Sequence, residues 1–296
     1  VTGTLTRLAG FTRVMYKPHY LLYGILWVFA LEATLALLAE TPWRPSPATG
    51  LRVLVVAIVL LYLRMVDEQK DLGYDRVHNK DRPLVTGAVT GTDLRIGMAV
   101  IAALAVAGSL LLSVGSALAI AAVLLYGLGL WGLERISAWV RDDILVNLVV
   151  TYPVQLLVTA YVLISVLDTE ALPAGFWQSA PAALIFAGAF LQFEFARKTA
   201  HGPRPGEHYY SNVLGAPGST AASLLFVALA VGADLALVRP WNHSMVWLGL
   251  LPVPLALLPG YGAVRFLRGG EYPVGPPVLF ILGLYAVLIA QGAVGA

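Results

Sequence analysis

Charge is concentrated where it could do chemistry. Between Arg64 and Arg82 the chain carries Arg64, Asp67, Glu68, Lys70, Asp71, Asp75, Arg76, Lys80, Asp81 and Arg82, and five of its seventeen acids fall within the fifteen residues 67–81. Asp67, Asp71 and Asp75 are spaced by four, so a helix running through them places them on one face, about 6 Å apart per step. Like charges four residues apart destabilise a helix, so folding alone gives no reason to stack them. A hard divalent cation does. Mg²⁺ takes oxygen ligands, commonly one or two carboxylates, with waters and substrate phosphates completing its shell. A ladder of Asp67, Asp71 and Asp75, with Glu68 alongside, could hold one or two such ions and present them to a diphosphate. Arg64, Lys70 and Arg76 would add charge-assisted contacts to the phosphate oxygens. The plain alternative is a solvated loop after an apolar helix, and Gly73 inside the ladder costs a continuous helix about 1 kcal/mol relative to alanine.

The elements that must position this ladder are read from composition. Of 296 residues, 58% are hydrophobic and 12% charged, against roughly 25% charged in an ordinary soluble protein. With a mean hydropathy of +0.78, there is too little polar surface to cover a soluble globule. The apolar stretches lack the period-two alternation of barrel strands. They predict nine membrane helices over 20–39, 51–66, 94–113, 115–133, 143–166, 176–195, 217–237, 245–259 and 275–294. The eighth is short and interrupted by Pro252 and Pro254. An odd number of spans puts the termini on opposite sides. With the N-terminus inside, sixteen Lys and Arg residues fall in inner segments and three (Arg44, Arg52, Arg239) in outer ones, a strong positive-inside asymmetry. The chain thus reads as a single transmembrane domain over 1–296. Residues 1–18 form a cytoplasmic arm, 67–93 and 196–216 form cytoplasmic active-site loops, and the C-terminus lies outside. A net charge of +2 gives no sign of nucleic acid, and the absence of cysteine excludes thiol, disulfide and iron–sulfur chemistry. The five histidines share no ligand spacing, so zinc is not indicated.

Downstream of the ladder lies Arg82-Pro83-Leu84-Val85-Thr86-Gly87. Together, ladder and element resemble the UbiA superfamily of intramembrane prenyltransferases. That family has nine helices, an N/D-x-x-x-D-x-x-x-D motif at the end of helix two, and a following R-P-L-x-x-G element. The first motif position here is Asp67 where much of the family has Asn. The resemblance implies an all-α, polytopic membrane helix bundle with Mg²⁺ on Asp67, Asp71 and Asp75. It also implies a second Asp-rich motif at the end of helix six. The chain departs there: the stretch Gln192–Asn212 contains no aspartate, only Glu194 and Glu207 among Arg197, Lys198 and Arg204. Glu194 ends an otherwise apolar helix, where an unpaired carboxylate is costly. We read it as one metal ligand, with Arg197, Lys198 and Tyr210 as contacts to the diphosphate; the alternative is a basic loop that only sets topology. The family keeps basic residues in the loop after span four. Here Arg141 is the candidate, with Arg135 behind it, unless Arg141 merely pairs with Asp142 or Asp143. Glu134, Asn147 and Tyr152 lie in the same region. Glu32 and Gln155 are intramembrane polar residues, each a site or a partner for a neighbouring helix.

The implied activity is ionisation of an isoprenoid diphosphate and transfer of the prenyl group to an aromatic or other lipophilic acceptor. The partners are a prenyl diphosphate, that acceptor and membrane lipid; oligomeric state is not read from the sequence. In this reading Asp67, Asp71, Asp75 and Glu194 are the catalytic acids, Glu68 joins the metal set, and Arg64, Lys70, Arg82, Arg141, Arg197, Lys198 and Tyr210 hold the diphosphate. The altered second motif keeps open a terpene cyclase, in which the chain's own double bonds capture the cation. A transporter is a third reading, opposed by the absence of an inverted repeat.

Overall fold

The computed structural model describes residues 2–170, 175–242 and 245–295. Among them there are helices and turns and no strand. Among the described residues nine helical segments are long and apolar enough to cross a membrane: Pro18–Leu38, Pro47–Lys70, Gly91–Leu110, Val114–Ile136, Ile144–Thr169, Phe176–Arg197, Ser211–Asn242, Val246–Leu267 and Gly275–Val294. All nine expected spans are present, and the chain is an integral multi-pass membrane protein. The outward faces agree. Leu104, Leu111, Leu118 and Leu125 are each more than half exposed, a surface that suits hydrocarbon and not water.

The chain divides into two compact units, Val1–Val28 with Pro45–Thr169, and Phe29–Arg44 with Glu170–Ala296. The first contains α1 (Thr2–Met15), the start of α2 (Pro18–Leu38), α3 (Pro47–Lys70), α4 (Leu72–His78), α5 (Pro83–Thr86), α6 (Gly91–Leu110), α7 (Val114–Ile136), α8 (Ala138–Asp142), α9 (Ile144–Thr151) and α10 (Pro153–Thr169). Helix α3 starts from a capping box, Ser46 with Thr49, with Pro47 at its first position. It buries Val55, Val56, Val59, Tyr62, Met65 and Val66, one helical stripe, against α6 and α7. Arg7 of α1 makes two 2.7 Å bonds to the Asp93 carboxylate. Asp93 also closes the capping box that begins α6, so the N-terminal arm is a helix tied to the start of a span.

The second unit holds the remainder of α2 with α11 (Phe176–Ser179), α12 (Ala183–Arg197), α13 (Ser211–Val238), α14 (Val246–Leu250), α15 (Pro252–Leu255), α16 (Leu257–Leu267) and α17 (Gly275–Val294). Helices α12 and α13 pack closely because Gly188 has no side chain; a Cβ there would sit 2.6 Å from the Phe226 carbonyl oxygen and 2.7 Å from the Ala230 nitrogen. Helix α13 begins six residues ahead of the expected 217, with a kink at Gly215 (φ 70°) ahead of Pro217, which cannot donate to the helix ladder. The eighth span runs to Leu267, beyond the expected 259, in three short helices broken near Pro252 and Pro254. Glu32, within this unit, is buried and accepts from Trp43 Nε1 at 3.1 Å.

Candidate functional site

The acid ladder begins inside α3 and leaves it at Asp71, whose φ of −87° and ψ of 4° end the regular helix. The four-residue hydrogen-bond rhythm nevertheless continues: Asp71 N–H donates to Asp67 O (2.8 Å), Asp75 N–H to Asp71 O (2.9 Å) and Asn79 N–H to Asp75 O (2.8 Å). The side chains part company. On an uninterrupted helix each step of four would advance about 40°, setting Asp75 about 80° from Asp67 but only about 20° from Arg64 and Glu68; the ion pairs described next follow that division. The expected single row of three aspartates is therefore corrected to two groups.

One group is inward and neutral. Asp75 and Glu68 are each 1% exposed. Arg82 bridges them, 2.8 Å from Asp75 and 3.4 Å from Glu68, and Arg64 reaches Glu68 at 3.4 Å. Asn79 Nδ2 donates to Asp75 Oδ1 at 2.7 Å. Burial pushes the Asp75 carboxyl above its ordinary pKa, opposed by the Asn79 hydrogen bond and the Arg82 charge. The R-P-L-x-x-G element explains how Arg82 gets there. Arg82 is the N-cap of the one-turn α5, Pro83 opens that helix, and Gly87 closes it at φ 77°, a left-handed conformation that favours glycine.

The other group is open and acidic. The Asp67 and Asp71 side chains are 49% and 35% exposed, and both flank Lys70 Nζ, at 3.9 and 3.5 Å. A third carboxylate joins from α7: Glu134, 4% exposed, accepts from Lys70 Nζ at 3.1 Å. It is held from α9 by Asn147 Nδ2 at 2.8 Å. The sequence reading named Glu134 and Asn147 but gave them no role. Glu134 carries the same signal as Glu194, an acid at the end of an apolar span. Arg141 lies close by in the chain but pairs with Asp142, at 2.8 and 3.1 Å, with both side chains largely exposed; Asp143 instead caps α9 through Leu145 and Val146 N–H. An exposed pair of this kind contributes little, so Arg141 can exchange its partner at small cost. Arg76 and Arg135 are exposed.

In the second unit Glu194 is 6% exposed and surrounded by donors. Arg197 approaches it at 2.6 Å, Lys198 at 2.8 Å and the Tyr210 hydroxyl at 3.5 Å. Tyr210 is fixed by stacking on Phe195 (4.2 Å between centroids) and by its N–H donating to Lys198 O at 2.9 Å. Burial, reinforced by Glu194, pushes the Tyr210 phenol above its ordinary pKa. The connecting loop is closed by Asn212, whose side chain bonds the backbone of Arg204 and Glu207 at 2.9 Å. Arg197 remains 45% exposed, and two cations against one carboxylate make this a positive cluster.

Among the described residues, no group of three His, Asp or Glu residues converges on a metal-sized space. The chemistry of the open acidic group still fits a divalent cation. Its donors are carboxylate oxygens, as hard ions require, its charge is negative, and Asp67 and Asp71 are reachable from solvent. Glu68, Asp75 and Glu194 are buried and matched by arginine or lysine, whereas Asp67, Asp71 and Glu134 share the single Lys70.

Spans of this number with charge gathered at helix ends define a polytopic membrane protein whose charged clusters sit at the edges of its apolar segments. Its fold is that of the UbiA superfamily. A UbiA homologue from Aeropyrum pernix K1 matches with a TM-score of 0.61 at 19% identity, covering 89% of this chain and 95% of that one. A digeranylgeranylglyceryl phosphate synthase matches at 0.59 and 15% identity, covering 98% of each. A UbiA homologue from Archaeoglobus fulgidus bound to DMAPP and Mg²⁺ matches at 0.56 and 16%, covering 94% of this chain and 99% of that one. No family model and no curated protein matches the chain.

Proposed function

We propose that the protein is a Mg²⁺-dependent intramembrane prenyltransferase that ionises an isoprenoid diphosphate and passes the prenyl group to a lipophilic, aromatic acceptor. One observation carries the reading: two part-exposed aspartates and the buried Glu134 flank Lys70 at the end of α3, on a fold whose A. fulgidus member is bound to DMAPP and Mg²⁺. Asp67 and Asp71 would hold the ion. Mg²⁺, when bound, supplies Lewis-acid neutralisation of the charge that develops on the departing diphosphate. Arg82 and Arg64 keep Asp75 and Glu68 paired and so brace the segment that carries Asp71. Arg197 and Lys198 can each bond phosphate oxygens in exchange for part of their hold on Glu194, and exposed Arg141 can do the same for Asp142. The apolar helices exclude water, which would otherwise quench an allylic cation. We place the loops that carry these residues on the cytoplasmic side, following the distribution of positive charge.

The test is product analysis. Purified protein with Mg²⁺ and ten-, fifteen- or twenty-carbon prenyl diphosphates should release no hydrocarbon or terpene alcohol until an aromatic acceptor is added, and should then give a prenylated adduct by mass spectrometry. A cyclic terpene formed without acceptor would replace transfer with cyclisation. No turnover with any donor would remove the enzymatic reading.

A further inference from the structure

The acidic group contains a cation of its own. Lys70 Nζ lies within 4 Å of three carboxylates from two helices: Glu134 at 3.1 Å, Asp71 at 3.5 Å and Asp67 at 3.9 Å. Its side chain is only 10% exposed. A lysine in the last turn of a helix complements the helix dipole, but that role needs no carboxylate. Nor does a simple ion pair account for the arrangement, because a single acid would satisfy one ammonium. Three carboxylates against one ammonium leave two negative charges, which is the charge that one divalent ion cancels. Glu134 is moreover anchored independently by Asn147 from α9, and it is the carboxylate nearest to the lysine.

We propose that Lys70 is a tethered cation of the metal site, a positioning residue that permanently supplies one of the positive charges the acids require. Held by Glu134 and Asn147, it keeps Asp67 and Asp71 together before any metal arrives and limits the cluster to one divalent ion. This rests on the metal-dependent reading above and deepens it by assigning the site's stoichiometry and its metal-free integrity to the chain itself. The physical basis is electrostatic: a positive charge a few ångströms from a divalent ion weakens binding of that ion, while three close carboxylates without any cation repel one another.

The experiment uses the full chain in detergent or nanodiscs, with Mn²⁺ as the probe. Free Mn²⁺ is followed by electron paramagnetic resonance, and thermal unfolding is measured in Mg²⁺ and in excess chelator. The wild-type protein should bind one Mn²⁺ and should lose, on going from Mg²⁺ to chelator, only the modest stabilisation that binding of that one ion contributes. Lys70→Met should bind a second Mn²⁺ or hold the first roughly tenfold more tightly, and its unfolding temperature should fall in chelator and recover in Mg²⁺. Lys70→Arg should restore wild-type behaviour in both readouts. Glu134→Gln, which removes one acid and keeps the lysine, should weaken Mn²⁺ binding and make unfolding less sensitive to chelator than in Lys70→Met, and it keeps the test open should Lys70→Met not fold. If Lys70→Met and Glu134→Gln both match wild type in Mn²⁺ binding and chelator sensitivity while wild type turns over with Mg²⁺, the tethered cation is wrong and the enzymatic reading stands. If wild type binds no Mn²⁺ and makes no product, both fall.

Discussion

The two polar clusters are built from the same parts and carry opposite charge. Each starts from an acid at the end of an apolar helix, Glu134 on α7 and Glu194 on α12, both nearly buried. Around Glu134 the neighbours are Lys70, Asp67 and Asp71, an acidic excess. Around Glu194 they are Arg197, Lys198 and Tyr210, a basic excess. A buried carboxylate must be paired wherever it sits, so the acid itself says little about function. The surplus charge around it is informative: the first cluster has capacity for a cation and the second for an anion. Under the function proposed above, a divalent metal and a diphosphate would be the ligands for those two surpluses.

The contrast can be broken by mutation, and the largest effect should come from the acidic cluster. Asp71→Asn removes one carboxylate charge of the proposed metal site, on a side chain that is 35% exposed. We expect turnover to fall by roughly a hundredfold or more, with an unfolding temperature close to wild type; unchanged activity would end the metal assignment. Arg197→Ala in the basic cluster leaves Lys198 on Glu194. It should raise KM for the diphosphate substrate by roughly tenfold, the loss of one charge-assisted hydrogen bond, and leave Mn²⁺ binding unaltered. An equal effect of both variants on Mn²⁺ affinity would erase the distinction between the clusters.

Packing sharpens the comparison further. A Cβ at Gly188 would meet the backbone of α13 at 2.6 and 2.7 Å, whereas one at Gly97 would meet only the flexible ends of Leu8 and Met65 at 3.2 Å. Gly188→Ala should therefore cost about 1–3 kcal/mol in chemical denaturation and Gly97→Ala less than about 1 kcal/mol. Equal costs would mean that α12 and α13 can separate freely. The smallest effect concerns Tyr210. Its raised pKa means that the folded state holds the phenolic proton more tightly than the unfolded chain. Its stabilising share is thus fully present below about pH 10 and lost as pH rises towards the folded value. Tyr210→Phe should show a shallower loss of stability above that pH, and a denaturation series from neutral to strongly alkaline pH measures it.

The correction to the ladder has a simple geometric origin. A spacing of four is close to a helical turn but not equal to it, and over two steps the drift brings Asp75 beside Arg64 and Glu68. That much could be computed from the residue numbers. The partners could not. Lys70 meets Glu134 across sixty-four positions of chain, and no local pattern announces that pairing. Glu194 was a legible anomaly for the same reason as Glu134, but the sequence left open whether it faced a metal or the basic residues beside it in the chain.

Composition and hydropathy by themselves determined the nine spans and the helical class, because in lipid each backbone polar group must find its partner within its own segment and a run of apolar residues leaves the helix as the local solution. They also located the two charged stretches, since charge is costly within those spans and collects where they end. Tertiary structure alone decided how the acids divide between Arg82 and Lys70, and that Glu134 and Asn147 belong with Asp71. Those choices depend on which helices pack together, and Coulomb energies between side chains are set by distance in space and not by separation along the chain.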